Sequence, residues 1–258
     1  MRTIALVMLT AALNSTAAAA VCTATSGERR VALLELYTSE GCDSCPPADR
    51  WVSSLPSRGL GSDRLVVLGF HVDYWNHLGW PDPFAQKRFS ERQRALGTRN
   101  GARFVYTPQL LLDGKDYRRG IFRDDFAERV AAINQRPPRA GIRLQLRRVS
   151  GNNLVVDGSV TVHGTAPSNE AQTYLALYEN NLANRVSAGE NRGKQLQHDF
   201  VVRELIGPVP ISARGTTEFS RTFRLDPRWK SADLVVTAFV QGSTSGDLLQ
   251  AVAAPHCD

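Results

Sequence analysis

Ser39-Glu40-Gly41-Cys42-Asp43-Ser44-Cys45-Pro46-Pro47 is the stretch on which the reading of this chain turns. Val31 to Tyr37, just before it, is a nearly continuous apolar run broken only by Glu35, as in a buried strand. Pro47 to Leu55, just after it, reads as a helix. Two thiols two residues apart can close a small disulfide ring without disturbing either element. At a helix start, unpaired N–H groups and the positive end of the dipole stabilise a thiolate. Proline is tolerated in the first helical turn, where no donor is needed. The expected roles are therefore attack on a substrate disulfide by Cys42 and resolution of the mixed disulfide by the more buried Cys45. The alternatives are a static disulfide or a metal site; a zinc site usually needs a second ligand pair, and the other cysteines lie at the chain ends.

Outward from this stretch, Leu65 to His71 predicts a second buried strand and Phe84 to Leu96 a helix with Arg and Glu on its outer face. Gln109 to Leu112 predicts a third strand, which Asp113-Gly114 returns as a hairpin. Asp124 to Asn134 is amphipathic, with Phe126, Val130 and Ile133 at helical spacing. The order implies an α/β sheet with a crossover between its first two strands. Thr107-Pro108 precedes the third strand, where a cis bond could hold Pro108 against the dithiol and expose a strand edge to substrate. A composition break at Gln135-Arg136-Pro137-Pro138 separates residues 21–136 from 139–258. The later segment holds about seven strand candidates, several strictly alternating, as in Ile142, Leu144 and Leu146 against Arg143, Gln145 and Arg147. This predicts an antiparallel β-sandwich. Asn180 to Gln197 is polar and reads as a loop.

His71-Val72-Asp73-Tyr74-Trp75-Asn76-His77 follows the second strand, at the sheet end where α/β proteins place ligands. His71 and Asp73 are candidates to bind a metal, to shuttle a proton to Cys45, or to hold the loop. Trp75, Trp80 and Phe84 are candidates for a substrate groove, against a reading in which they only anchor the loop. Arg192, Lys194, His198 and Arg203 read as a solvated face, and His256 beside Cys257 is too close in sequence for both to reach one ion. No nucleophile elbow or phosphate-binding glycine loop is present, so no cofactor is expected.

The 258 residues carry 31 Lys and Arg against 25 Asp and Glu, a formal +6, without a run of like charge that would suggest nucleic acid. Residues 1–20 read as an export signal: Arg2, an apolar run from Ile4 to Leu13, and small residues up to a cleavage site near Ala20. No membrane span is expected, because Asn14, Ser15 and Thr16 cut the apolar run short. The expected location is periplasmic or secreted, where disulfides persist. Cys22 and Cys257 then form the economical second pair, closing the chain end to end.

Strand, Cys-x-x-Cys at a helix start, strand, helix, Thr-Pro, hairpin and final helix resembles the thioredoxin fold over about Arg30 to Asn134. Leu36 to Asp49, with His71-Val72-Asp73-Tyr74-Trp75-Asn76 and Leu78-Gly79-Trp80, is similar to a family of bacterial secreted proteins with a thioredoxin-like domain of unknown function. The resemblance implies a thioredoxin-like N-terminal domain, with Cys42 as nucleophile, Cys45 as resolving thiol and Pro108, beside Thr107, facing substrate. It departs from ordinary thioredoxins at Gly41-Cys42-Asp43-Ser44-Cys45: Asp43 opposes thiolate formation and Arg50 could offset it. The expected activity is thiol–disulfide exchange on protein thiols or disulfides. The alternatives are a non-catalytic binding protein braced by Cys42–Cys45, and copper handling.

Overall fold

A computed structural model describes residues 21–117, 125–164, 170–212 and 214–254. The expected signal segment, Cys257 and the start of the expected Asp124 helix lie outside the described residues.

The buried apolar runs form β2 (Ala32–Thr38) and β3 (Leu65–His71), every residue of both being buried. They pair in parallel, Ala32 opposite Leu65 through Thr38 opposite His71, and α1 (Pro46–Ser54) lies between them in the chain. α2 (Lys87–Arg99) buries Phe89, Arg92, Gln93 and Leu96 along one face. β4 (Gln109–Leu112) runs antiparallel to β2 and turns at Asp113-Gly114 into the two-residue β5 (Lys115–Asp116). α3 (Phe126–Asn134) buries Phe126, Val130 and Ile133. The types and order of these elements are as the sequence predicts, with α2 displaced three residues toward the C-terminus from the expected Phe84 to Leu96.

Their assembly corrects the predicted fold class. β3 does not end an α/β sheet, because β11 (Val201–Pro210) pairs parallel with it at Val201 and Gly69, and the Gly69 amide donates to the Phe200 carbonyl at 2.8 Å. β8 (Ala171–Glu179), β13 (Leu234–Gly242) and β14 (Leu248–Ala254) follow antiparallel. The result is one eight-stranded sheet, ordered β14-β13-β8-β11-β3-β2-β4-β5. There is no α/β thioredoxin-like domain followed by an independent antiparallel β-sandwich; the chain is a β-rich fold whose largest sheet draws strands from both sides of Pro137-Pro138. The physical reason is the edge of β3. Its backbone groups need a partner and its side chains are apolar on both faces, and at Gly69 a strand from the later segment supplies that partner.

The four-stranded sheet β1 (Val21–Thr25), β6 (Ala140–Val149), β7 (Asn153–Val162) and β12 (Thr216–Arg224) packs against the far part of the large one. Ile142, Leu144 and Leu146 meet Leu175, Leu177, Val236 and Ala238 in one core, as the alternation predicts. A second core joins Leu33, Val66, Leu68 and Phe70 of β2 and β3 to Phe89 and Leu96 of α2, and to Tyr174, Tyr178, Phe239 and Ala251 of the later strands. A third lies under α1 and α3. Within the second core, the buried Arg92 guanidinium donates to both oxygens of Glu35, at 2.9 and 2.8 Å, and to Gln241 at 3.1 Å. The rings of Tyr174 and Phe239 stand 4.8 and 5.2 Å from it.

The stretch expected to be a loop contains two short strands, β9 (Leu182–Arg185) and β10 (Gln195–His198), paired only with each other. This hairpin folds over the start of α1.

Candidate functional site

β2 ends at Thr38, and a turn closed by Cys42 N–H to Ser39 C=O (3.2 Å) brings Cys42 to the mouth of α1. Cys45 precedes Pro46 at the helix start, and its carbonyl accepts from the Ala48 and Asp49 amides. The pair forms a disulfide with its Cα atoms 5.5 Å apart. Asp43 and Ser44 between them are exposed, and the Ser44 hydroxyl lies 3.3 Å from the Cys42 sulfur. Both cysteines are 0% exposed, so solvent does not reach the sulfurs in this arrangement.

The tip of the β9–β10 hairpin packs against the dithiol turn. Asn191, itself fully buried, donates from Nδ2 to the carbonyls of Glu40 and Cys42 at 2.8 and 2.9 Å. The Asp43 amide donates to Glu190 at 3.1 Å. Lys194 holds the other end of the Asn191 carboxamide at 2.8 Å.

Behind the disulfide lies a buried polar cluster of Glu40, Asp49, His71, Asp82 and His198. Glu40 meets His198 Nε2 at 3.0 Å and accepts from Trp80 Nε1 at 2.9 Å, while its amide donates to Asp82 at 2.8 Å. Asp82 also meets His71 Nδ1 at 2.7 Å. Burial disfavours charge on both partners of that pair, but their mutual attraction prevails: Asp82 is held below the ordinary carboxylate range and His71 above the ordinary imidazole value. Asp49 is different. Burial pushes its carboxyl up, countered only in part by His198 and His71. Its Oδ2 has no hydrogen-bond partner, nor has His198 Nδ1 3.9 Å away. Asp49 is four residues after Cys45 and therefore on the same side of α1.

The candidate residues from the sequence fall into place unevenly. Trp75 donates from Nε1 to the Thr107 hydroxyl at 2.7 Å, and its Cβ would lie 3.2 Å from a Cβ at Gly41, so Trp75 stands against the dithiol turn and is held there by Thr107. The Thr107-Pro108 bond is cis. Trp80 is tied to Glu40. His71 and Asp73 are not brought together: β3 ends at His71, which turns to Asp82, while Asp73 bonds Ser90. Among the described residues no cluster of three or more His, Cys, Asp or Glu is arranged to hold a metal ion. Cys22 sits half-buried in β1 opposite Leu146, and none of the described cysteines is a free thiol. No helix among the described residues is long and apolar enough to cross a membrane. Sequence reasoning missed Glu40, Asp49, Asp82, Asn191 and His198. Only the i, i+4 spacing of Cys45 and Asp49 could have pointed to one of them.

A family model described as a protein of unknown function (DUF1223) matches residues 33–241, and the chain belongs to that family. Among solved structures, the chain is similar to the protein AGR_C_4864 from Agrobacterium tumefaciens, with 23% identity over 90% of this chain and 97% of that one and a TM-score of 0.61. It is also similar to HBP35 of Porphyromonas gingivalis, with 16% identity over 88% of this chain and 76% of that one and a TM-score of 0.66. At these identities the likeness is one of fold. No curated protein matches.

Proposed function

We propose that the chain is an exported protein that exchanges disulfides with protein thiols through Cys42 and Cys45. The observation that carries this reading is the disulfide at the start of α1, where the helix end favours a thiolate on Cys42 once the bond opens. The apolar run and small residues of 1–20, together with the disulfide itself, support export. In the exchange, a thiolate of a partner dithiol attacks the Cys42 sulfur. The Cys42–Cys45 bond breaks and Cys45 leaves with the electron pair, then takes a proton. The partner's second thiol, losing its own proton, attacks the partner sulfur of the mixed disulfide and frees Cys42. The partner is oxidised by two electrons and the protein is reduced by two. The reverse sequence reduces a partner disulfide.

Asp49 Oδ2 and His198 Nδ1 are among the buried atoms without a hydrogen-bond partner, and Asp49, one turn after Cys45, is suited to hold a proton near the resolving thiol. Trp75, held by Thr107, forms the wall beside Gly41.

The complete burial of both sulfurs favours a second reading, in which the disulfide only braces the turn and the protein binds without exchange. The two readings separate in Cys45→Ser treated with oxidised glutathione. Exchange predicts one glutathione attached to Cys42 and one released as the thiol, under conditions where the fold is intact. A brace predicts no adduct until the protein is unfolded.

A further inference from the structure

We propose that the 182–198 hairpin is a built-in cover over the dithiol, latched by Asn191, and that a partner reaches the sulfurs when the hairpin tip lifts. This rests on the exchange reading above and specifies how its site is controlled.

The hairpin is placed like a separable part. Its two four-residue strands pair with each other and with neither large sheet, and a lone two-stranded hairpin has little stability of its own. Its buried apolar side chains are Val186 and Leu196, with Leu182 half-buried. Its tip meets the dithiol turn through polar contacts instead: Asn191 to the Glu40 and Cys42 carbonyls, and Glu190 to the Asp43 amide. Such contacts can be exchanged for water or for a partner's own donors at small net cost, whereas apolar burial cannot. Gly189, at φ +70°, passes close to Trp80, where a Cβ would lie 3.3 Å from the indole Cβ. The tip therefore closes the gap between the 40–43 turn and the 78–80 segment. Elements with few apolar contacts are those that open below the global unfolding free energy.

Asn191 is the latch because one carboxamide serves both sides. Its Nδ2 satisfies two carbonyls of the dithiol turn, and its Oδ1 is held by Lys194 of the hairpin. When the tip lifts, the Glu40 and Cys42 carbonyls become available to N–H donors of an extended partner segment next to the sulfurs.

The test is the rate at which dithiothreitol reduces Cys42–Cys45, followed by mass after alkylation, in increasing but sub-denaturing urea. Each turnover oxidises dithiothreitol to its cyclic disulfide and leaves two protein thiols. The expected result is a wild-type rate with a shallow urea dependence, the sign of a local opening, and an increase of about tenfold or more in Asn191→Ala with the slope unchanged. Glu190→Ala, which loses only a surface contact, is expected to raise the rate about threefold and serves if Asn191→Ala does not fold. A shallow slope with both variants at the wild-type rate overturns the cover and leaves exchange standing. A wild-type rate with the steep slope of global unfolding, unchanged in the variants, overturns the exchange reading and the cover with it.

Discussion

Arg92 balances the buried charge of Glu35 in the second core, holding both its oxygens while three aromatic rings surround the guanidinium. Removing one partner of such a pair leaves the other charged and dry, which costs about 3–5 kcal/mol. Arg92→Met is therefore expected to lower stability by about that amount in urea titrations, and Glu35→Leu combined with Arg92→Met by much less. The pH dependence follows from the cluster behind the disulfide. His71 has its folded pKa raised above 6.5, so its contribution is full below that value and lost as pH rises through the folded pKa. Asp82 has its folded pKa lowered, so its contribution is present above 3.8 and lost as pH falls through the folded value. Their joint contribution is fullest between those limits. Asp49, raised by burial, runs the other way from Asp82: its ionisation weakens the fold as pH rises above 3.8. Asp49→Asn should raise the melting temperature at pH 7 and change it little at pH 3; equal shifts at both would contradict this assignment.

At the scale of elements, the β4–β5 turn shows how tightly the parts meet. Gly114 has φ +78°, and a Cβ there would collide with the carbonyl of Gly246 in the β13–β14 turn. Gly114→Ala combines a strained backbone with that clash and is expected to cost about 2–3 kcal/mol in chemical denaturation, with Gly59→Ala, in open space, as the control for φ alone. The Asp113-Gly114 hairpin was legible in the sequence because turn chemistry is local. So were β2 and β3, as continuous apolar runs, and β6, as strict alternation. β9 and β10 were not. Each is four residues long with few apolar side chains, because much of what they hold on to is backbone carbonyl and carboxylate across the site. Asn191 read as part of a loop and His198 as part of a solvated face for the same reason: a polar side chain buried by a distant segment carries no local mark.

Over the whole molecule, the thioredoxin-like reading failed at one strand. The order of elements through residue 134 is as expected, but nothing in β3 says whether its outer edge is free. That edge is taken by β11 from some 130 residues away, at Gly69 and Val201. The Cys42–Cys45 disulfide was legible from its spacing; the burial of both cysteines was not, since Asn191, which bonds the same turn, comes from the other half of the chain. The shared sheet and shared second core predict that residues 21–137 alone do not reach the native state, and that the segment 21–258 unfolds in one transition. A 21–137 fragment with cooperative unfolding and dispersed amide resonances would contradict the continuous sheet. The proposed exchange is tested most directly by equilibrating the protein against glutathione redox buffers and reading the Cys42–Cys45 reduction potential from the fraction alkylated. The account predicts a potential above about −300 mV, within the range of known exchange proteins. A pair that stays oxidised below that value while the fold is intact would make the disulfide a brace and remove the proposed activity.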